Sequence, residues 1–395
     1  MSNDNTSPLS IWAQNIAPSP TLAVDAKAKA LKAAGKDVCG FGAGEPDFDT
    51  PKFICDAAAK ALAEGKTRYV PTPGILPLRK AIAADYTAKG FKNIDETCVV
   101  LSPGGKMSCY LSILALISPG DEVIIPVPYW VSYPEMVKAA GATSVILKTK
   151  AENNFEVDLA ELEATITPRT KLLILNTPSN PTGAVYSKKT IEGIAALALK
   201  YNFMVMSDEI YEKLVYDAEY PHCSIASLSP EMAEQTITIN GFSKAYSMPG
   251  WRLGYLTAPM WLAKRIAAFQ SHTTSNPTSF AQYGAIAALT GPQEPVENMR
   301  KAFAARRDLV YDLVSAIPGI KTIRPQGAFY LFFNVASFGL GGTDFVTRLL
   351  DEQKVAAVPG DAFGDSESVR ISYACSDAVI REACSRMKEF CAGLK

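Results

Sequence analysis

Residues 172–211 read LLILNTPSNPTGAVYSKKTIEGIAALALKYNFMVMSDEIY. Two short apolar runs, Leu172–Leu175 and Phe203–Ser207, flank a stretch in which Ile191, Ile194, Ala195 and Ala198 fall at i, i+3, i+4 and i+7. That spacing puts four apolar side chains on one face of a helix. Leu172–Leu175 lacks the apolar–polar alternation of a half-exposed strand, which predicts a strand covered on both faces. Strand, helix, strand in so short a span is the repeating unit of a parallel sheet.

The same texture extends from about residue 98 to 257, with further strands predicted at Cys98–Leu101, Glu122–Ile125, Ser144–Leu147, Thr236–Ile239 and Leu253–Thr257. On either side it changes. A Pro-broken arm, Ala17–Pro20, precedes a helical pattern over Leu22–Ala34, and Gly291–Pro295 marks a second break. A charged helix over Met299–Val314, strand-like segments at Phe329–Phe333 and Val369–Tyr373, and a final helix over Asp377–Ala392 complete the chain. The fold class is therefore α/β: a mostly parallel sheet wrapped by helices, plus a smaller α+β domain. The chain divides into a large domain over 46–292 and a small one built from 1–45, with its N-terminal arm, and 293–395. A length of 395 residues suits such a division at ~100–200 residues per domain.

Composition narrows the function. Lys and Arg number 39 against 40 Asp and Glu, a net charge of −1, so no basic field draws nucleic acid or an acidic membrane. The two histidines, His222 and His272, cannot build a His-rich metal site, and none of the eight cysteines is in C-x-x-C spacing, so no metal is expected. Met1–Ser10 lacks the charged start and apolar stretch of a signal peptide, and the apolar run around Leu111–Ile117 is far shorter than the ~20 residues of a membrane span. A cytoplasmic, soluble protein with free thiols is expected.

Three tempting motifs fail. Gly40-Phe41-Gly42-Ala43-Gly44 continues into Glu45-Pro46, so G-x-G-x-x-G is not met. Ser102–Met107 lacks the first glycine and the Ser/Thr of a P-loop, and Gly241–Ala245 lacks the second glycine of a nucleophile elbow. What survives lies just after predicted strands, where ligands of open α/β sheets gather. Asn180 follows one strand and Asp208 with Tyr211 the next; Ser243 and Lys244 follow a third, with Arg252 eight residues on; Gly104-Gly105 opens a helix after the first. Jointly they suit an anionic aromatic aldehyde cofactor. A lysine in an enclosed site beside a cation loses its proton readily and forms a Schiff base. A carboxylate such as Asp208 holds a pyridine nitrogen protonated, Asn180 and Tyr211 can bond a phenolate, and helix-start N–H groups with an arginine fork suit a phosphate.

Longer segments carry a family resemblance: AGEPDFDTP (Ala43–Pro51), PYWVSYPEM (Pro128–Met136), NPTGAVY (Asn180–Tyr186), SDEIYE (Ser207–Glu212), Ser243-Lys244 with GWRLGY (Gly250–Tyr255), GAFY (Gly327–Tyr330) and VRISYA (Val369–Ala374). From about Pro18 to the C-terminus the chain resembles the class I aminotransferases, fold type I pyridoxal-phosphate enzymes, and within them the bacterial aspartate aminotransferase branch. The resemblance implies pyridoxal 5'-phosphate as cofactor, Lys244 as Schiff-base lysine and proton carrier, Asp208 at the pyridine nitrogen, Asn180 and Tyr211 at the ring hydroxyl, and Trp130 on the ring face. It implies Gly104, Gly105, Ser243 and Arg252 around the phosphate, with Lys106 close by. It implies Tyr69 reaching the phosphate of a neighbouring subunit, so that a homodimer shares its active sites. Arg370 would clamp the substrate α-carboxylate, with Gly44 contributing backbone contact.

Lys106 resembles the residue that binds the distal carboxylate of aspartate or glutamate, and Thr21 a threonine that accompanies it. The expected reaction is a ping-pong transfer of the amino group from L-aspartate to 2-oxoglutarate. The alternatives are a bifunctional aspartate/prephenate aminotransferase or an enzyme for aromatic or neutral amino acids. Two departures stand out: Met107-Ser108-Cys109-Tyr110 replaces the branch's Gln-Ala-Leu/Tyr run, which bears on substrate breadth, and Gly241 lacks a phosphate-binding hydroxyl found in some branches.

Overall fold

The computed structural model describes residues 8–18, 20–42 and 44–394. Most of the polar start (residues 1–7), Ser19 of the Pro-broken arm and Ala43 of the AGEPDFDTP segment lie outside the described residues. Seven strands form the main sheet: β1 (Val99–Ser102), β2 (Glu122–Val127), β3 (Thr143–Lys148), β4 (Thr170–Asn176), β5 (Met204–Asp208), β6 (Thr236–Gly241) and β7 (Gly254–Thr257). Their order across the sheet is β1-β7-β6-β5-β4-β2-β3. All are parallel to one another except β7, which runs antiparallel between β1 and β6. Each predicted strand is present, with ends shifted by a residue or two.

The packing explains the unbroken apolar runs. Successive side chains of a strand point to opposite faces. In β4, Leu172 and Ile174 enter one apolar cluster, while Leu173 and Leu175 enter another. Both faces are therefore covered, and alternation has no cause to appear. Five helices cover the sheets or frame the site: α1 (Pro20–Ala33), α2 (Gly105–Leu116), α3 (Lys188–Tyr201), α4 (Glu294–Ser315) and α5 (Asp377–Gly393). Helix α2 covers the first face through Cys109, Leu111 and Ile113; α3 covers the second through Ile191, Ile194, Ala195 and Ala198, the stripe read from the sequence. The Ser187 hydroxyl accepts from Thr190 N at 3.2 Å to start α3, and Asn202 ends it in the left-handed conformation.

A second sheet centres on the antiparallel pair β8 (Tyr330–Asn334) and β9 (Ser368–Ser372). Its core is aromatic: Phe303 from α4 and Phe390 from α5 join Phe329, Phe333 and Phe345. The two ends of the chain meet here. Cys39–Gly40 pairs in parallel with Val355–Ala356, and Ala28 of α1 packs with Val38, Leu350 and Ala356. Among the described residues no helix is long and apolar enough to cross a membrane.

Ile194 is fully buried between α3 and the sheet. Replacing it by alanine should lower the stability of the fold by about 2–5 kcal/mol, the cost of lost burial plus residual cavity. Denaturant unfolding would read this, and a loss under about 1 kcal/mol would contradict tight packing on this face.

Candidate active site

Parallel strands end on one edge of the sheet, and that edge assembles the site. β4 ends at Asn176, β5 at Asp208 and β6 at Gly241. Because β7 runs the other way, its first residue, Gly254, lies at the same edge, paired with both Ser102 and Gly241. Arg252 therefore arrives beside the start of α2. A Cβ on Gly254 would sit 2.3 Å from Gly105 N, so only glycine lets the N-terminus of α2 press onto the sheet here. Gly104 has φ +87°, and a Cβ there would lie 2.5 Å from Arg252 Nη2. The result is a cradle of backbone N–H groups and one guanidinium, suited to an anion. Arg252 donates only to the carbonyls of Pro249 (2.9 Å) and Pro103 (3.4 Å), and it joins no ion pair among the described residues.

The cradle opens into a cavity of about 590 Å3 lined by residues of both sheets. Asp208 lines it and is buried. Its Oδ2 accepts from Tyr133 Oη at 2.6 Å and from the Cys109 thiol at 3.8 Å, and its Oδ1 from Ile210 N at 3.2 Å. Burial pushes the Asp208 carboxyl up to about 6, against the pull of these donors. Burial also raises the Cys109 thiol, so it stays protonated and donates.

Lys244 lines the same cavity, half-buried, and its ammonium donates to the carbonyl of Gly44. Burial lowers its pKa to about 8; Arg370 and Arg252 push the same way, while Glu45 and Asp208 oppose. Near physiological pH a far larger share of this amine is neutral than of an ordinary lysine's, the state a nucleophile or base needs.

Arg370, in the middle of β9 between Phe332 and Val358, is 3% exposed. Its Nη1 donates to Asn180 Oδ1 at 3.1 Å and its Nη2 to Gly42 O at 3.0 Å, while its buried Nε has no partner. A buried guanidinium without a carboxylate is costly unless an anion completes it. Lys106 lies 5.0 Å from the centroid of the Trp130 ring, and its pKa is lowered, first by burial and then by Arg252.

Of the residues singled out in the sequence, Gly44, Gly105, Lys106, Trp130, Asn180, Asp208, Tyr211, Ser243, Lys244, Arg252, Arg370 and Thr21 line this one cavity. Gly104 stands directly behind it, against Arg252. Tyr69 is not brought in: its side chain is 91% exposed on the surface of the protomer. Sequence reading missed Tyr133, which holds Asp208; Tyr330, whose hydroxyl lies 2.9 Å from that of Tyr211; and Asn176, whose side chain accepts from Asn180 N at 2.9 Å. Tyr133 falls in PYWVSYPEM and Tyr330 in GAFY, but nothing in their spacing distinguishes a carboxylate holder from a core aromatic. Cys109 belongs to the run read as bearing on substrate breadth; the structure puts its thiol against Asp208 instead. Gly241 has a local reason: a Cβ there would lie 3.1 Å from both Gly254 Cα and Ile210 Cδ1, leaving little room for a side chain.

A cradle for a phosphate-like anion, a buried carboxylate, a depressed lysine and an incompletely partnered arginine, around one cavity, fit an anionic pyridine aldehyde and a carboxylate substrate. Comparison with known proteins agrees in kind. The family described as aminotransferase class I and II matches residues 36–387. The chain is 48% identical to an aspartate aminotransferase of Geobacillus stearothermophilus over 95% of this chain and 97% of that protein. It is 45% identical to an aspartate/prephenate aminotransferase of Cereibacter sphaeroides over 96% of this chain and 97% of that one. The solved structure of a Thermus thermophilus aspartate aminotransferase with maleate superposes with a TM-score of 0.93 at 41% identity, covering 97% of this chain and all of that one.

The environment of Lys244 makes its amine distinctive. In a pulse of reductive labelling with a small aldehyde, Lys244 should be modified with a midpoint near pH 8, below the ordinary lysine value of about 10.4. Peptide mass spectrometry across pH reads this, and an ordinary midpoint would refute the burial argument.

Proposed function

Because the chain belongs to the class I and II aminotransferase family, we propose that it is a pyridoxal-phosphate enzyme that transfers the amino group of L-aspartate to 2-oxoglutarate. The observation that carries the reading is the trio of Lys244, Asp208 and Arg370 around one cavity, each at least half-buried and each with its charge incompletely answered by the protein. The cofactor's phosphate would rest on Gly104, Gly105, Ser243 and Arg252, its ring between Asp208 and Trp130, and its ring oxygen near Asn180 and Tyr211. Bound there, pyridoxal phosphate supplies an electrophilic carbon for the amino group and a ring that withdraws electrons.

The rest of the chemistry belongs to the chain. Asp208, clamped by Tyr133 and Cys109, would hold a proton on the ring nitrogen and so keep the ring electron-poor. Arg370 binds the α-carboxylate through a fork that Asn180 and the Gly42 carbonyl orient, fixing which face of Cα meets Lys244. The Lys244 amine, neutral in a larger share than an ordinary lysine because its pKa is lowered, would take the proton from Cα and carry it across to the cofactor side. Lys106, held against Trp130, meets the distal carboxylate of a dicarboxylic substrate, with Thr21 beside it. A keto acid leaves before the second one enters, so initial-rate lines should be parallel.

Tyr69, almost wholly exposed on one protomer, would serve the phosphate cradle of a partner, which makes the working unit a homodimer. The parts of the chain on either side of residues 46–292 carry Arg370 and Thr21, so a small domain closing over substrate would bring both to the cofactor. Eight free cysteines are in keeping with a reducing, cytoplasmic setting.

A half-reaction screen tests the function directly: the enzyme mixed with aspartate, glutamate, arogenate, tyrosine or alanine while the cofactor spectrum is followed. Aspartate and glutamate should convert the cofactor; conversion by arogenate as well would establish the aspartate/prephenate alternative. Lys244→Ala should still bind pyridoxal phosphate but lose turnover by at least ~10^3-fold, and wild-type-like turnover would sink the assignment. Lys106→Ala should cost roughly 10–100-fold in kcat/KM for aspartate and little for alanine, the scale of one lost charge-assisted bond. An equal loss for both substrates would remove Lys106 from specificity.

A further inference from the structure

Behind Asp208, on the far side of the sheet from the cavity, lies a second buried carboxylate. Glu209 is the next residue after β5 and is 1% exposed; its N–H donates to Ile239 O at 2.9 Å, which fixes the strand end. Strand alternation sends its side chain the opposite way from that of Asp208. Its Oε1 accepts from Ser207 Oγ at 2.9 Å and Ser224 Oγ at 2.6 Å, and its Oε2 lies 3.0 Å from His222 Nε2. The Nδ1 of His222 is buried with no partner among the described residues, and the link to Glu209 orients the ring.

Glu212 completes the cluster, and its ligand atom, with those of Glu209 and His222, lies within 4.8 Å of the others, a spacing that suits a metal. The cluster already has its cation, however: Lys89 Nζ is 2.6 Å from Glu212 Oε1 and 2.7 Å from Asp85 Oδ2. It is better described as a chain of alternating charges, Asp85–Lys89–Glu212 beside Glu209–His222. Burial disfavours the imidazolium, but Glu209 and Glu212 outweigh both that and Lys89, so His222 is held protonated more firmly than usual. Burial opposes the Glu209 carboxylate, but His222 and the hydroxyls of Ser224 and Ser207 together outweigh it and hold Glu209 below the usual carboxylate range.

Two consecutive buried carboxylates repel, and the charge of Glu209 raises Asp208 on top of the dominant effect of burial. We propose that His222 is a positioning residue for the active site: its imidazolium balances Glu209, so that Asp208, one residue away, is held as a carboxylate. His222 touches neither cavity nor reacting atoms; it acts through Glu209. The other titratable groups around Asp208 are Tyr133, Cys109, Tyr211 and Lys244; the hydrogen bonds from Tyr133 and Cys109 and the charge of Lys244 favour its carboxylate from its own side of the sheet, while His222 meets Glu209 directly from the other. The inference rests on the reading of Asp208 as the carboxylate that meets the cofactor ring.

The test is a carboxyl titration of the full-length chain by 13C NMR, with Asp208 assigned by loss of its signal in Asp208→Asn. Wild type should titrate near pH 6. His222→Leu leaves the pair with one net negative charge and should raise the Asp208 midpoint by about one pH unit, with a hold on pyridoxal phosphate weakened roughly twofold at pH 7 and nearly tenfold at pH 5. Glu209→Gln should leave the midpoint at or below the wild-type value, and Glu209→Gln with His222→Leu, neutral again, should restore both the midpoint and the affinity. A merely structural role would make the double variant at least as defective as the single one. An unshifted midpoint in His222→Leu, or a double variant as impaired as it, overturns the proposal. Should His222→Leu fail to fold, His222→Gln keeps a hydrogen bond without the charge and must shift in the same direction. A wild-type chain that binds no pyridoxal phosphate would overturn the functional reading instead, and the carboxyl midpoints would still decide this one.

Discussion

The site depends on cations that no carboxylate touches directly among the described residues. Arg370 is buried with one nitrogen unpartnered, Arg252 rests only on backbone carbonyls, and the Lys244 amine is depressed by burial and by both of them. Burying Arg370 and half-burying Lys244 opposes folding, because both charges would be better solvated in the unfolded chain, whereas Arg252 stays exposed. The arrangement persists because apolar clusters on both faces of the main sheet and under β8 and β9 supply the stability elsewhere. An anionic ligand relieves the imbalance, so the cost borne by the fold becomes affinity for a phosphate and carboxylates.

The reversed strand makes this possible. In a wholly parallel sheet, the chain entering β7 would come from the edge remote from the site. With β7 antiparallel, Arg252 precedes it at the carboxyl edge, within reach of Gly104. The approach is so close that glycine is needed at 104 and 254 at once, one for its backbone angle and one for lack of room. The Gly254 of GWRLGY and the GG of SPGGK are thus two halves of a single steric requirement.

That requirement shows how far the sequence can be read. The periodicity of 172–211 reveals strands covered on both faces and the buried stripe of α3, because burial acts on each residue locally. The chemistry at strand ends is legible for the same reason: Asp208, Lys244 and Asn180 follow their strands directly. The direction of β7 is not legible, since a short apolar strand carries no mark of orientation and only its partners decide it. Contacts across distant segments are hidden likewise. Tyr133 and Tyr330 look like any core aromatic until Asp208 and Tyr211 are beside them. Tyr69 is the opposite case, conspicuous in TRYVPTPG yet solvated on the single protomer.

The departures from the family pattern take on a different meaning once placed. At Gly241 the pairing with Gly254 and the side chain of Ile210 leave little space for a hydroxyl, and the cradle beside it is built of backbone N–H groups and Arg252 instead. The run Met107–Tyr110 begins beside Lys106 in the cavity lining, and Cys109, three residues along α2, turns its thiol to Asp208. A thiol at that position is a donor too weak to protonate the carboxylate and too buried to ionise, so it can steady Asp208 without competing for its proton. In the proposed function Lys106, Trp130 and Thr21 would meet the substrate's distal group, and the thiol at 109 would act through Asp208 on the ring nitrogen.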